Sequence, residues 1–327
     1  MRKTLLALLV SSLPLSATLS PAMAKDTGYL FISSEKDNSV MVMDSKDFSV
    51  IKVIPTADRP RHMAFNADHS LIYAACGDGE SIDVIDIAKL EVTDRIEDID
   101  DPEAFDLSPD GKMMYLSLED DGALGFIDLG SKELVAEVEV GEEPEGVLTS
   151  PDGKTVYVTS EVANTVHLVN AESRELTANI VVGKRPRRFA LTPDNLELWV
   201  TSELDASVSI INLADNSIKE VIHFEPTGFR REQVTPVGIV MTADGKGAWV
   251  ALGRSNHVAY VDVASRRIED YVLVGNRAWN VTLNRDESRL YVVNGLSDDL
   301  SVIDTASRKV IKSVPAGRVP YMALIDD

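Results

Sequence analysis

One register runs through the sequence. The aromatic residues Phe31, Tyr73, Tyr115, Tyr157, Trp199, Trp249 and Tyr291 follow one another at spacings of 42, 42, 42, 42, 50 and 42 residues. The polar residues Asp44, Asp86, Asp128, Asn170, Asn212, Asp262 and Asp304 keep the same spacings and the same single interruption. The turn aspartates Asp68, Asp110, Asp152, Asp194, Asp244 and Asp286 share that register. Three markers in step mean seven copies of one unit, each too short to bury a core by itself.

The pattern inside the unit decides its kind. Residues 150–170 show it most cleanly: a Ser-Pro-Asp-Gly turn, an apolar run through Val156, Tyr157 and Val158, a polar turn, and an alternating run through Val166 and Leu168 to Asn170. Positions four, two and one before the closing Asp or Asn are apolar in all seven units, as in Val40, Val42 and Met43. The position three before is mixed: Met41, Asp83, Gly125, His167, Ser209, Ala259, Ser301. Alternation of period two, rich in Val and Ile, means strands and excludes a helical repeat. Short strands at this period are the mark of a propeller blade. The expected fold is all-β, a seven-bladed β-propeller. The first unit begins at 29–33 without a preceding inner strand, and the chain stops just after one, at 319–327. The C-terminal strand is therefore expected to pair with the N-terminal blade and close the ring, which removes open sheet edges.

The first residues carry a different signal. Arg2 and Lys3 precede an apolar run at 5–10, and Ala22-Met23-Ala24 offers a small-x-small cleavage site. This reads as a secretory signal peptide over 1–24, too short in its apolar run to span a bilayer, followed by the propeller over 25–327. The expected location is the periplasm, with cleavage near Ala24 and no membrane association. The formal net charge of −21 opposes binding to phosphate backbones and anionic lipid. No nucleic-acid partner is expected, and a monomer is. The single cysteine, Cys76, excludes an internal disulfide and reads as a small packed side chain.

Between units sits a proline, at Pro60, Pro102, Pro144, Pro186, Pro236 and Pro320, with Ala278 in the remaining place. The residues that follow are Arg61-His62, Glu103-Ala104, Glu145-Gly146, Arg187-Arg188, Val237-Gly238, Trp279-Asn280 and Tyr321-Met322. In a closed ring these turns converge on one end of the axis. Their variation inside a strict frame fits one asymmetric site for a small anionic ligand, and Arg61, His62, Glu103, Glu145, Arg187, Arg188, Trp279, Asn280 and Tyr321 are its candidate residues. Trp279 is expected either to stand exposed, ready with Arg59, Arg61, Arg185, Arg187 and Arg188 to stack on a planar anion, or to pack as a hydrophobic lid over the channel. Glu103 and Glu145 are candidates to face one another as acid and base. The eight-residue interruption falls at 224–233, and its Phe229, Arg230 and Arg231 form a second candidate surface. The five histidines show no paired spacing, and no acidic cluster has calcium-loop spacing, so no metal site is expected. There is no phosphate loop and no nucleophile elbow, and no residue is assigned a catalytic role.

Tyr157-Val158-Thr159-Ser160, Asn164-Thr165-Val166, Val182-Gly183, Pro186 and Thr192-Pro193-Asp194 together resemble the YVTN-family β-propeller repeat. The resemblance spans 25–327. The final Asn of the motif appears only at Asn294, and Glu225 and Ala278 replace the usual Gly and Pro. Among such proteins the chain is similar to β-propellers associated with pyrroloquinoline quinone (PQQ)-dependent alcohol catabolism in proteobacteria. That resemblance implies an accessory periplasmic role beside a quinoprotein dehydrogenase or a c-type cytochrome, with PQQ as a cofactor by association only. It leaves three readings: a non-enzymatic scaffold or ligand-binding propeller; a propeller enzyme, lactonase-like or a dehydrogenase subunit; and a DNA-binding propeller, against which the acidic charge argues. The absence of a catalytic motif favours the first.

Overall fold

Each unit starts from a turn that its own side chains complete. At residues 150–155 Ser150 Oγ donates to Asp152 Oδ1 (2.7 Å), and the Thr155 N–H donates back to Ser150 Oγ (2.9 Å). Gly153 sits at φ +71°, where a side chain is strained. The closing Asp or Asn has an equally local cause. Asn170 Oδ1 accepts the Glu172 and Ser173 N–H groups (3.0 and 2.8 Å), and Asp128 Oδ1 accepts those of Gly130 and Ser131 (2.8 and 3.0 Å). These are Asx turns, so the sequence register is a register of turns.

The structure, a computed structural model, describes residues 26–327. The expected signal peptide lies outside them. Between the turns run 28 strands, grouped as seven antiparallel four-stranded sheets. Blades 2 to 7 follow the chain in order over 60–96, 102–139, 144–181, 186–223, 239–273 and 278–315. In each, the first strand is innermost. Blade 1 takes its three outer strands from 29–55 and its inner strand, Pro320–Asp326, from the end of the chain. That strand pairs with Tyr29–Ser34 in the register Tyr29↔Asp326 to Ser33↔Met322. The ring closes as the ends of the repeat array require. A latch holds it: the buried Asp326 carboxylate accepts the Thr27 N–H (2.9 Å) and hydroxyl (2.6 Å) and lies 3.2 Å from His69 Nδ1.

The core lies in the seams between blades. One cluster joins Trp199, Val208 and Ile210 of blade 5 to Ala248, Val250 and Val261 of blade 6. Another joins Leu30 and Ile32 of blade 1 to Tyr291, Val293 and Leu300 of blade 7. Trp199 and Trp249, on the repeating aromatic position, are fully buried. Cys76 is a buried free thiol whose pKa burial pushes up. Four hydroxyls set the blades in register around the axis: Ser33, Ser117, Thr159 and Thr201 donate to the carbonyls of Arg61, Glu145, Arg187 and Val237 on the next blade (2.7, 3.0, 3.1 and 2.7 Å).

Candidate functional site

The seven side chains that directly follow the proline position come together. Arg61, Glu103, Glu145, Arg187, Val237, Trp279 and Tyr321 form one layer across the axis, and none is more than 8% exposed. The layer is a plug, not an open mouth. Glu145 accepts from Arg187 (3.0 Å), Arg188 (2.9 Å) and the Tyr321 hydroxyl (3.2 Å). Glu103 is held by Arg59 (2.6 Å) and Arg61. Arg61 lies 4.4 Å over the Tyr321 ring and Arg187 5.3 Å from the centre of Trp279. Burial opposes the charge on Glu145, yet Arg187, Arg188 and Arg61 hold its carboxyl well below the usual range. The same exchange of charge holds Arg187 protonated. Glu103 and Glu145 are thus each locked to guanidinium groups rather than to one another.

Of the two alternatives for Trp279 the packed one holds: the ring is buried, with Arg187 over it and Arg277 4.4 Å from its centre. Two candidates, His62 and Asn280, are half-buried and turn away from the plug. With Arg188 they line the inner end of a cavity of about 490 Å³ that follows the axis to the turn at 284–287. Its walls are mostly apolar, with Phe105, Phe189, Val281 and Leu283 among them. The channel is blind: the plug is its floor, and it opens at the Asp-Gly turn end. Burial, aided by the charge of Arg188, pushes the pKa of His62 down to about 3, so the imidazole is neutral. Its Nδ1 is buried without a partner. The candidate residues therefore divide between two faces of one layer, with Arg188 belonging to both.

The insertion residues stay at the rim. Phe229 packs on the seam of blades 5 and 6, 5.4 Å from the His257 ring, and Arg231 pairs with Asp205 (2.9 Å). Arg230 is exposed and opens the short 3₁₀ turn Arg231–Gln233. His167 and His257 carry ordinary structural hydrogen bonds, to Asn179 (2.7 Å) and to the Ser255 carbonyl (2.6 Å).

Four rim carboxylates escaped the sequence reading. The position one or two residues after each blade's second strand holds Glu35, Gly77, Glu119, Glu161, Glu203, Gly253 and Gly295, in the same register of 42 residues with the single step of 50. Glu161 pairs with Arg185 and Arg187, and Glu203 lies 3.4 and 3.5 Å from the same two arginines. Glu35 lies 3.7 Å from Arg61. Burial pushes Glu161 up to about 7 against the pull of Arg187, with repulsion from Glu145 adding to the rise. The signal was a position restricted to Glu or Gly, beside turns rich in arginine. Asp101, Glu103 and Glu119 also converge, but Arg59 is bonded to the first two.

A family model described as a domain of unknown function, DUF5074, matches residues 16–203, more than half of the chain. The chain belongs to the DUF5074 family. A search of curated proteins returns no match. Among solved structures, this DUF5074 chain is similar to hydrazine synthase from Kuenenia stuttgartiensis, with TM-score 0.77 and 22% identity over 90% of this chain and 99% of that one. It is similar to a functionally unknown protein from Desulfotomaculum acetoxidans, with TM-score 0.74 and 16% identity over 91% and 99%. A third, dihydro-heme d1 dehydrogenase NirN, gives TM-score 0.65 and 15% identity over 93% of this chain and 66% of that one. At these identities the likeness is one of fold, shared by proteins of diverse or unknown function.

Proposed function

We propose that this is a non-enzymatic periplasmic β-propeller of the YVTN-repeat type, which binds a small ligand in its axial channel and serves PQQ-dependent alcohol oxidation. The observation that carries the binding reading is the blind channel itself. Its volume of about 490 Å³ falls in the range of small-molecule sites, which are mostly apolar with a few converging polar groups. His62, Arg188 and Asn280 stand at the closed end, and Asp106, Thr282, Asn284, Arg285 and Glu287 are the other polar residues of the lining. A ligand entering from the Asp-Gly end would lay an apolar or aromatic body against Phe105 and Val281 and bring an acceptor to Arg188. A neutral His62 offers a hydrogen bond there without a second charge. The export signal and the repeat resemblance support the compartment and the link to quinone-dependent oxidation; the cargo classes that follow are a quinone cofactor or an oxidation intermediate.

The test is calorimetric titration of the purified chain with PQQ, and separately with a quinoprotein dehydrogenase and its c-type cytochrome. Saturable binding of PQQ that is lost in Asn280→Trp, which fills the channel, supports the reading. Binding of none of the three removes the oxidation role, and PQQ binding that survives Asn280→Trp removes the channel as its site.

A further inference from the structure

Three blades lack the rim glutamate, and in two the space it would occupy is filled. A Cβ on Gly77 would meet Asp101 Oδ1 at 2.6 Å and Arg59 Nη1 at 2.8 Å, and Gly253 is covered by Thr235. Gly295 differs. A Cβ there would find nothing closer than the Pro320 carbonyl at 3.7 Å. A cavity of about 130 Å³ opens at this point, bounded by Arg277, Trp279, Arg61, Glu35 and Leu296.

Two donors on the residues that line it lack acceptors. Trp279 Nε1 and Arg61 Nε are buried with no hydrogen-bond partner, on residues that are 8% and 7% exposed. The Arg61 Nε has only Glu35, at 3.7 Å. Arg277 lies over Trp279, 4.4 Å from the ring centre, and forms no salt bridge among the described residues. Its counterpart in blade 5, Arg185, has the rim carboxylate of Glu203 at 3.4 Å and that of Glu161 besides. Burial and the nearby charges of Arg254 and Arg187 lower the pKa of Arg277, against the pull of Glu203. A half-buried guanidinium without a counter-ion is costly, and here it stands in a chain of net charge −21.

We propose that the cavity beside Gly295 binds a small carboxylate anion, whose carboxylate takes the place that the rim glutamate fills in blade 5. Arg277 supplies a fork that matches a carboxylate in geometry, and Trp279 Nε1 supplies a further donor. Glu35 faces the cavity as an acceptor, so a hydroxyl beside the carboxylate is accommodated and a second negative charge is not. Leu296 forms an apolar wall for a short carbon chain. A water molecule takes about 30 Å³ of liquid, so the space suits an acid of acetate to lactate size. This site lies on the opposite side of the plug from the axial channel and does not depend on what the channel binds.

The experiment is titration of the full chain with sodium acetate and sodium lactate at constant ionic strength, read by calorimetry and tryptophan fluorescence. Sodium chloride and phosphate are the controls. The expected result is saturable binding of the carboxylates, weakened about tenfold or more in Arg277→Gln. Gly295→Glu, which supplies an internal carboxylate, should abolish binding and remove the rise in melting temperature that acetate gives the parent. The proposal is overturned if neither carboxylate binds saturably, if chloride or phosphate binds as well, or if both variants bind as the parent does. Should Gly295→Glu fail to fold, the Arg277→Gln titration decides alone.

Discussion

At the proline-turn end, seven side chains meet across the axis and all are buried. At the Asp-Gly end, the same inner strands stand around a cavity of about 490 Å³. The difference is one of side-chain reach. Seven inner strands leave a hole wider than Val147, Ile239 or Val281 can fill. Arg, Glu, Tyr and Trp do span it, and most of them carry charge. Charges removed from water must be matched, so closing the hole brought with it the rim glutamates. One end is therefore stabilised by a network in which each member depends on the others. The other end consists of side chains that act nearly alone.

The largest expected effect follows from that dependence. Glu145→Gln keeps the shape of the side chain and removes the charge that Arg187 and Arg188 share. Breaking a buried pair from one side typically costs about 3–5 kcal/mol, and urea unfolding should show a loss of that order. A loss of less than about 1 kcal/mol would place the plug among ordinary surface ion pairs and dissolve the contrast between the two ends.

The fold was legible in the sequence because its markers are local. Asp152 and Asn170 recur for turn geometry, and the Val and Ile alternation recurs for strand packing. The meeting of the proline turns was legible too, through topology. What the charges do there was not. Arg187 and Glu161 are separated by a full hairpin and lie on different blades, so only coordinates show that they cancel. Trp279 beside arginines reads equally as an open platform or a packed lid; the structure shows it packed, with Arg187 and Arg277 over its ring. The division of His62 from Arg61 depends on which way successive residues point at a β-bulge, and each of the proline-led inner strands carries a register shift at that place.

Acid separates the two faces of the plug more gently. His62 titrates at about 3 in the folded chain and near 6.5 when unfolded. Between those values the unfolded state binds more protons, so stability falls as pH drops from about 6.5 towards 3. Glu161 acts in the opposite sense. Its folded value of about 7 lies above the ordinary 4.5, so its contribution is present below 4.5 and is lost as pH rises towards 7. In the shared window the two slopes oppose each other. His62→Phe removes one of them. Relative to the parent, the variant should gain stability on acidification by about 1 kcal/mol per pH unit, measured by urea unfolding at a series of pH values. Parallel profiles for parent and variant would mean that His62 is solvated and that the channel floor is wet.

The smallest effect belongs to the open end. Leu324 lines the channel and is only partly buried, so its side chain already has empty space on one side. Truncating a core leucine costs 2–5 kcal/mol largely because it leaves a cavity. Leu324→Ala would enlarge a cavity that exists and lose fewer contacts, so a cost of about 1 kcal/mol is expected. Combined with Glu145→Gln it should add without coupling, since Leu324 is not among the partners of Glu145. A double variant whose loss departs from the sum by more than about 0.5 kcal/mol would show that plug and channel wall respond as one body. In that case a ligand seated in the channel would also be felt at the rim.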